Sequence, residues 1–406
     1  MSLANNIEFL RRLPKLNNFS PLNGLIADAR RGPAGTRLTE TVGFGSNPGD
    51  LRMFSYHPAD QRARQKLPLV VILHGCTQTA AGYDLGTGWS MLAERYGFAV
   101  LAPQQKPSNN ANCCFNWFNP EDISRGHGEA LSIRQMIARM ARDHSIDRKR
   151  IFVTGLSAGG AMTSVMLATY PEVFAGGAIV AGLPYGIATN LQQALSGMYQ
   201  SPSRSARELG DLVRNVSSHR GPWPKLSVWH GSADTTVNPG NADEIVKQWL
   251  DVHGLPPAPM AESAVDGYPR AIWWNADGEA VVESWSITGM AHGTPLGAVD
   301  GDERYGAEGA FMIEAGISAS YHIAGFFDLT GRAHQPAEMP KPITVPVIRT
   351  PTAAALPPVY PPPPAPEINA LPWPEPLTSH ATSRRRPAID VGAVITRALT
   401  AAGLMK

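Results

Sequence analysis

The sequence predicts an α/β protein: a mostly parallel central sheet with helices on both faces, followed by a proline-rich C-terminal tail. Three observations predict it. Segments such as Leu67-Pro-Leu-Val-Val-Ile-Leu73 and Gly176-Gly-Ala-Ile-Val-Ala-Gly182 are almost continuously apolar, as parallel strands covered on both faces are. These runs alternate with amphipathic helical stretches, which is the pattern of strand–helix–strand units. After residue 331 the composition shifts, and proline becomes dense, with Pro361-Pro-Pro-Pro364 near the middle. Such a segment is a semi-extended linker rather than a packed layer.

Taken in order, residues 1–44 form a peripheral arm. Leu3, Ile7 and Leu10 have helical spacing, and Pro14 ends that short helix because proline cannot continue a helix interior. The main α/β domain spans 45–330. Leu51 to Tyr56 alternates and reads as a strand, and residues 57–66 as a polar turn. The buried-type strand Leu67–Leu73 closes in His74-Gly75-Cys76. A helix from Trp89 to Tyr96 and a strand from Phe98 to Ala102 follow. The irregular stretch Gln104–Arg125 holds Asn112-Cys-Cys-Phe-Asn-Trp-Phe118, whose aromatics read either as a wall of an apolar site or as a satellite hydrophobic cluster. Glu129 to Arg142 is an amphipathic helix with Ile133, Met136, Ile137 and Met140 on one face.

Ile151-Phe-Val-Thr then runs into Gly155-Leu-Ser-Ala-Gly159, and a helix follows to about Tyr170. Residues 184–224 are mixed and partly helical, and read as a lid over the site or as a peripheral excursion. Lys225 to Gly231 returns to strand, with a helix from about Ala242 to His253. Ala271–Asn275 and Val281–Ile287 flank Asp277-Gly278, a hairpin signal. A last helix is expected over Ala310–Phe327. The linker occupies 331–387, and Asp390 caps a short amphipathic helix within 388–406.

The chemistry centres on Gly155-Leu-Ser-Ala-Gly159. Strand, tight turn and helix give this G-x-S-x-G pattern its meaning, because a serine in a strained elbow needs small neighbours. Its hydroxyl then stands at a helix N-terminus, which favours developing negative charge. Serine is a weak nucleophile and needs a histidine base oriented by a carboxylate. In the α/β-hydrolase plan the order is Ser, then Asp or Glu, then His, on loops after successive strands. Ser157, Asp234 and His292 satisfy that order and sit at strand ends. His230 is the rival base, but its strand-end position suggests packing. Asp243 is the rival acid, inside a helix. His322 and His74 read as structural. Oxyanion donors are expected from the backbone N–H of Cys76, or a near neighbour, and of Ala158. Trp117, Phe115 and Trp89 are candidate pocket walls from position alone.

Leu73-His-Gly-Cys-Thr-Gln-Thr79, Cys114-Phe-Asn-Trp-Phe118, Gly155-Leu-Ser-Ala-Gly-Gly-Ala-Met162, Trp229-His-Gly-Ser-Ala-Asp234 and Gly289-Met-Ala-His-Gly-Thr-Pro295 together resemble the esterases of the poly(3-hydroxybutyrate) depolymerase family. The five motifs occur in order across residues 45–330. The resemblance implies an α/β-hydrolase fold, no cofactor and no metal, and a triad on Ser157, Asp234 and His292. Its implied substrates are hydroxyalkanoate oligomers or polymer; feruloyl and acetylxylan esterases share the same look, so acylated carbohydrate is the alternative. It also implies a Cys76–Cys114 disulfide, with Cys113 left over. Three reduced thiols are the alternative, which a cytosolic location would favour.

Basic and acidic residues number 35 and 34, so charge points to no nucleic-acid partner. No apolar run reaches the roughly 18 residues that span a bilayer. The resemblance implies an extracellular location. Glu8, Arg11 and Arg12 interrupt the stretch that a signal peptide would keep apolar, which leaves the cytoplasm as the alternative. The tail helix has three readings: docking on the chain's own surface, on an unassigned partner, or on a lipid-like granule surface.

Overall fold

The computed structural model describes residues 35–58, 66–299 and 303–331. The expected helix of the N-terminal arm, the proline-rich linker and the terminal helix lie outside these residues.

Among the described residues the strands are β1 (Thr39–Thr41), β2 (Arg52–Tyr56), β3 (Leu67–Leu73), β4 (Ala99–Gln104), β5 (Ile146–Leu156), β6 (Gly176–Val180), β7 (Lys225–Gly231), β8 (Ala261–Val265), β9 (Tyr268–Trp274), β10 (Ala280–Ile287), β11 (Thr294–Leu296), β12 (Ala298–Val299), β13 (Glu303–Arg304) and β14 (Met312–Glu314). The helices are α1 (Ala80–Thr87), α2 (Trp89–Tyr96), α3 (Pro120–Ile123), α4 (Gly128–Asp143), α5 (Ala158–Thr169), α6 (Leu191–Gln200), α7 (Ala206–Arg214), α8 (Gly240–His253) and α9 (Ala319–Phe326).

One sheet runs β1-β2-β4-β3-β5-β6-β7-β10-β9-β8. Its centre, from β4 to β10, is parallel, and an antiparallel pair extends each edge. Alternation within each strand divides the core. Leu69, Val71 and Leu73 of β3 join the cluster under α4, α5 and α8, whereas Val70 and Ile72 join the cluster under α1, α2 and α9. Every residue of β3, β4 and β6 is buried. This two-sided burial is why these strands read as unbroken apolar runs. The strand order reverses between β3 and β5, and α/β sheets place ligands at the C-terminal strand ends beside such a switch point.

Two expectations about elements change. The helix expected over Ala310–Phe327 is confined to Ala319–Phe326. Met312–Glu314 instead pairs in parallel with β11. Gly316, at φ +74°, then redirects the chain, and the Ser318 side chain caps α9 by accepting from the Tyr321 N–H. The strand β8 was not anticipated. It joins β9 through Asp266-Gly267, both at positive φ (52° and 85°), a two-residue hairpin of the same chemistry as Asp277-Gly278. Segment 184–224 holds α6 and α7 and is clamped to α8: Gln248 Nε2 donates to Leu209 O at 2.9 Å, and Arg214 pairs with Asp251 at 2.5 Å.

Candidate active site

Ser157 stands between β5 and α5 with φ +58° and ψ −118°, a conformation that L-residues rarely adopt. The turn closes because its flanks lack side chains. A Cβ on Gly155 would come within 2.4 Å of Gly159 O, and one on Gly159 within 2.1 Å of Leu73 O. No L-residue with a side chain fits either place. The elbow is anchored by the Ser157 N–H, which donates to Val180 O at 2.9 Å. Ala158 is the first residue of α5, so its N–H has no carbonyl one turn earlier to satisfy it and points out of the helix end.

Asp234 lies on the loop after β7, and His292 on the loop after β10. These strands are parallel neighbours, and both lie parallel to β5 within the sheet, so all three loops leave the same edge. His292 Nδ1 donates to Asp234 Oδ2 at 2.7 Å. That bond fixes the tautomer and leaves Nε2 as the nitrogen for a serine hydroxyl. The carboxylate is held from every side. Oδ1 accepts the N–H groups of Thr236 and Val237 at 2.8 and 2.9 Å, and His230 Nε2 lies 3.2 Å from Oδ2. Burial raises the Asp234 carboxyl, but hydrogen bonds from His230, His292 and Val237 and the His292 charge outweigh it and hold the group well below the usual carboxylate range. His230 therefore does more than pack: it faces the acid. Its Nε2 is also 3.0 Å from Val237 O, and its buried Nδ1 has no hydrogen-bond partner among the described residues.

Among the described residues, the turn after β3 leaves one donor free by elimination. The Gly75 N–H is taken by Gln78 Oε1 at 2.8 Å, and the Thr77 N–H by Asn112 O at 2.6 Å. Cys76 lies between them, and a disulfide joins it to Cys114. Cys113 is free and half-buried. His74 is fully buried. Its Nδ1 lies 2.8 Å from Gly75 O, and its Nε2 accepts the Gln105 N–H at 3.1 Å. Burial pulls it down to about 4, so it is neutral. Asp243 is exposed on α8, and His322 lies 3.0 Å from Asp266. Among the described residues no cluster of three or more His, Cys, Asp or Glu side chains is placed to hold a metal ion.

Residues 53–268 match the family described as Esterase PHB depolymerase. The chain belongs to that family. It is an α/β-hydrolase and a carboxylic ester hydrolase. It is 48% identical over 295 residues to the poly(3-hydroxyalkanoate) depolymerase C of Paucimonas lemoignei, covering 72% of this chain and 70% of that protein. It is 34% identical over 270 residues to an acetylxylan esterase of Coprinopsis cinerea, covering 65% of this chain and 70% of that protein. Among solved structures, the acetyl xylan esterase of Aspergillus awamori superposes with a TM-score of 0.57 at 29% identity, over 63% of this chain and 93% of that one.

In this esterase the aromatic residues expected as pocket walls are core. Phe115 is 0% exposed, Trp89 1% and Trp117 7%. Phe115 packs on His74, with ring centroids 4.9 Å apart, and Trp89 lies under the opposite face of the sheet. The cause is a buried acceptor that draws the loop inward. Glu129 of α4 accepts from Gln105 Nε2, from the Asn116 N–H and from Asn116 Nδ2, at 2.5, 2.9 and 2.8 Å. Beside His292 the aromatic side chain is instead Phe311, edge-on with ring centroids 5.8 Å apart. Sequence reading missed it because residues 310–327 carry a helix-like pattern.

Proposed function

We propose that this enzyme hydrolyses esters of 3-hydroxyalkanoic acids, as oligomers or polymer, through an acyl-enzyme on Ser157. The observation that carries the substrate class is the 48% identity to a poly(3-hydroxyalkanoate) depolymerase. In this reading His292 Nε2 takes the Ser157 proton as Oγ attacks the ester carbonyl. The N–H groups of Cys76 and Ala158 hold the oxyanion, each worth about 2.7–4 kcal/mol of barrier. His292 then protonates the leaving alcohol, and water repeats the sequence on the acyl-enzyme. Asp234 keeps the imidazole oriented and stabilises its charged form.

A second reading, a carbohydrate acyl esterase, is favoured by the acetylxylan esterases at 34% identity and by a feruloyl esterase B of Thermothelomyces thermophilus at 33% identity. For the compartment, the Cys76–Cys114 disulfide favours an oxidising, extracellular setting. Among the described residues no helix is long and apolar enough to cross a membrane. We assign the chemistry to residues 45–330 and leave surface attachment to the tail.

Product analysis by mass spectrometry tests the substrate class. Purified protein is incubated in parallel with 3-hydroxybutyrate oligomers and with acetylated or feruloylated xylan fragments. Release of 3-hydroxybutyrate is the expected outcome. Acetate or ferulate alone would move the enzyme to cell-wall esters.

A further inference from the structure

We propose that Phe311 is a specificity-determining residue, forming the wall against which the alcohol half of the ester packs. The inference rests on the reading of His292 as the base that becomes the acid. Phe311 is held at φ +63°. For a bulky residue this is a genuine outlier, one that persists only where the surroundings enforce it.

The enforcing contacts lie on both sides. Phe311 O accepts the Thr294 N–H at 2.8 Å, two residues past His292. A Cβ on Gly293 would come within 2.7 Å of that same oxygen, so the two loops touch through backbone. Ala310 O accepts from Gln78 Nε2 at 3.1 Å, and Gln78 Oε1 holds the Gly75 N–H of the oxyanion turn. Beyond it, Met312 pairs with Thr294 in the parallel β11–β14 ladder. One short loop is thus tied to the histidine loop and to the oxyanion turn, and its strained residue presents an aromatic ring to His292. The ring is half-buried, packed on the core along one side.

The side of the ester follows from the chemistry. The acyl carbonyl is fixed by the donors at Cys76 and Ala158. The leaving oxygen must come within hydrogen-bond reach of His292 Nε2 to receive its proton. Whatever is attached to that oxygen lies beside the imidazole, where the Phe311 ring stands edge-on. An apolar substituent on the alcohol carbon gains from this wall, and a bare methyl alcohol gains little.

The test uses two ester series with the full-length enzyme. Acetates of methanol, isopropanol and cyclohexanol vary the alcohol; methyl acetate, butyrate and hexanoate vary the acyl group. Phe311→Ala should lower the cyclohexyl-to-methyl ratio of kcat/KM about tenfold, the scale of a lost apolar pocket contact, and preserve the ratios of the acyl series. Phe311→Leu should restore part of the alcohol selectivity. Phe311→Gly accepts positive φ without strain and should reproduce the alanine pattern, so a folding failure of the alanine variant leaves the test intact. A shift in the acyl ratios instead, or unchanged ratios in both series, overturns the proposal. Ser157→Ala, run alongside, separates the failures: turnover that survives it removes the acyl-enzyme reading itself.

Discussion

Asp234 accepts from two backbone N–H groups and from His292, and faces His230 Nε2 at 3.2 Å; only His292 is the base of our proposal. The others hold the carboxylate still and ionised, as the proposed cycling of a proton on the imidazole requires. His230 is the informative member. Among the described residues its buried Nδ1 has no partner, and its polar contacts lie on the side of Asp234 and the Val237 carbonyl. A hydrogen bond to a charged group contributes about 1.5–3 kcal/mol. His230→Phe should therefore lower kcat about tenfold or more with little change in KM, because the acid matters most when the imidazolium forms. His230→Gln can place an amide N–H near the lost Nε2 and should recover most of the rate. Steady-state kinetics of both variants check this; a glutamine variant as slow as the phenylalanine one would contradict it. At this scale the sequence was legible where a motif fixes the backbone. Ser157, Asp234 and His292 could be proposed together because each follows a strand, and the structure pairs the last two. The contact of His230 could not, since it depends on the 231–237 loop folding back beside its own strand. Phe311 was hidden by a helix-like pattern that its own backbone breaks.

The element that most departs from its sequence reading is the loop from 104 to 118. Aromatic side chains in a polar loop suggested a binding wall, but the polar residues turn inward as well. Asn116 and Gln105 find a buried carboxyl on α4, and the aromatics follow into the core. The loop thus buttresses the turn after β3 through the disulfide and the Thr77–Asn112 bond. Periodicity gave α4 its buried face of Ile133, Met136, Ile137 and Met140 but could not say that Glu129, in its first turn, is buried too. Burial, and then the neighbouring Asp122 charge, push Glu129 up to about 8. A carboxyl whose folded value lies above its unfolded value, ordinarily near 4.3, keeps its proton in the fold after the unfolded chain has lost it. Stability then falls as pH rises between these two values. The Tm of wild type minus that of Glu129→Gln should decrease from about pH 4.5 to pH 8. Parallel Tm profiles across that window would show that Glu129 is not the group responsible.

For the whole molecule, the parallel sheet was readable because burial on both faces leaves a plain mark: unbroken apolar strands between amphipathic helices. The edges were less so. β8 is largely exposed and β9 mostly half-buried, and Met312–Glu314 takes its strand form from a partner 18 residues earlier, which no local pattern reveals. What the architecture does is bring the loops after β3, β5, β7 and β10 to one edge of the sheet, with a strained serine on one and a held carboxylate–imidazole pair on two others; our proposal is that they serve one reaction. The most direct test of that account is the turnover of a soluble 3-hydroxybutyrate oligomer by Ser157→Ala, compared with wild type at matched, folded concentration. The account predicts a loss of roughly 10⁴–10⁶-fold in kcat; retention of a tenth of the wild-type rate would contradict it.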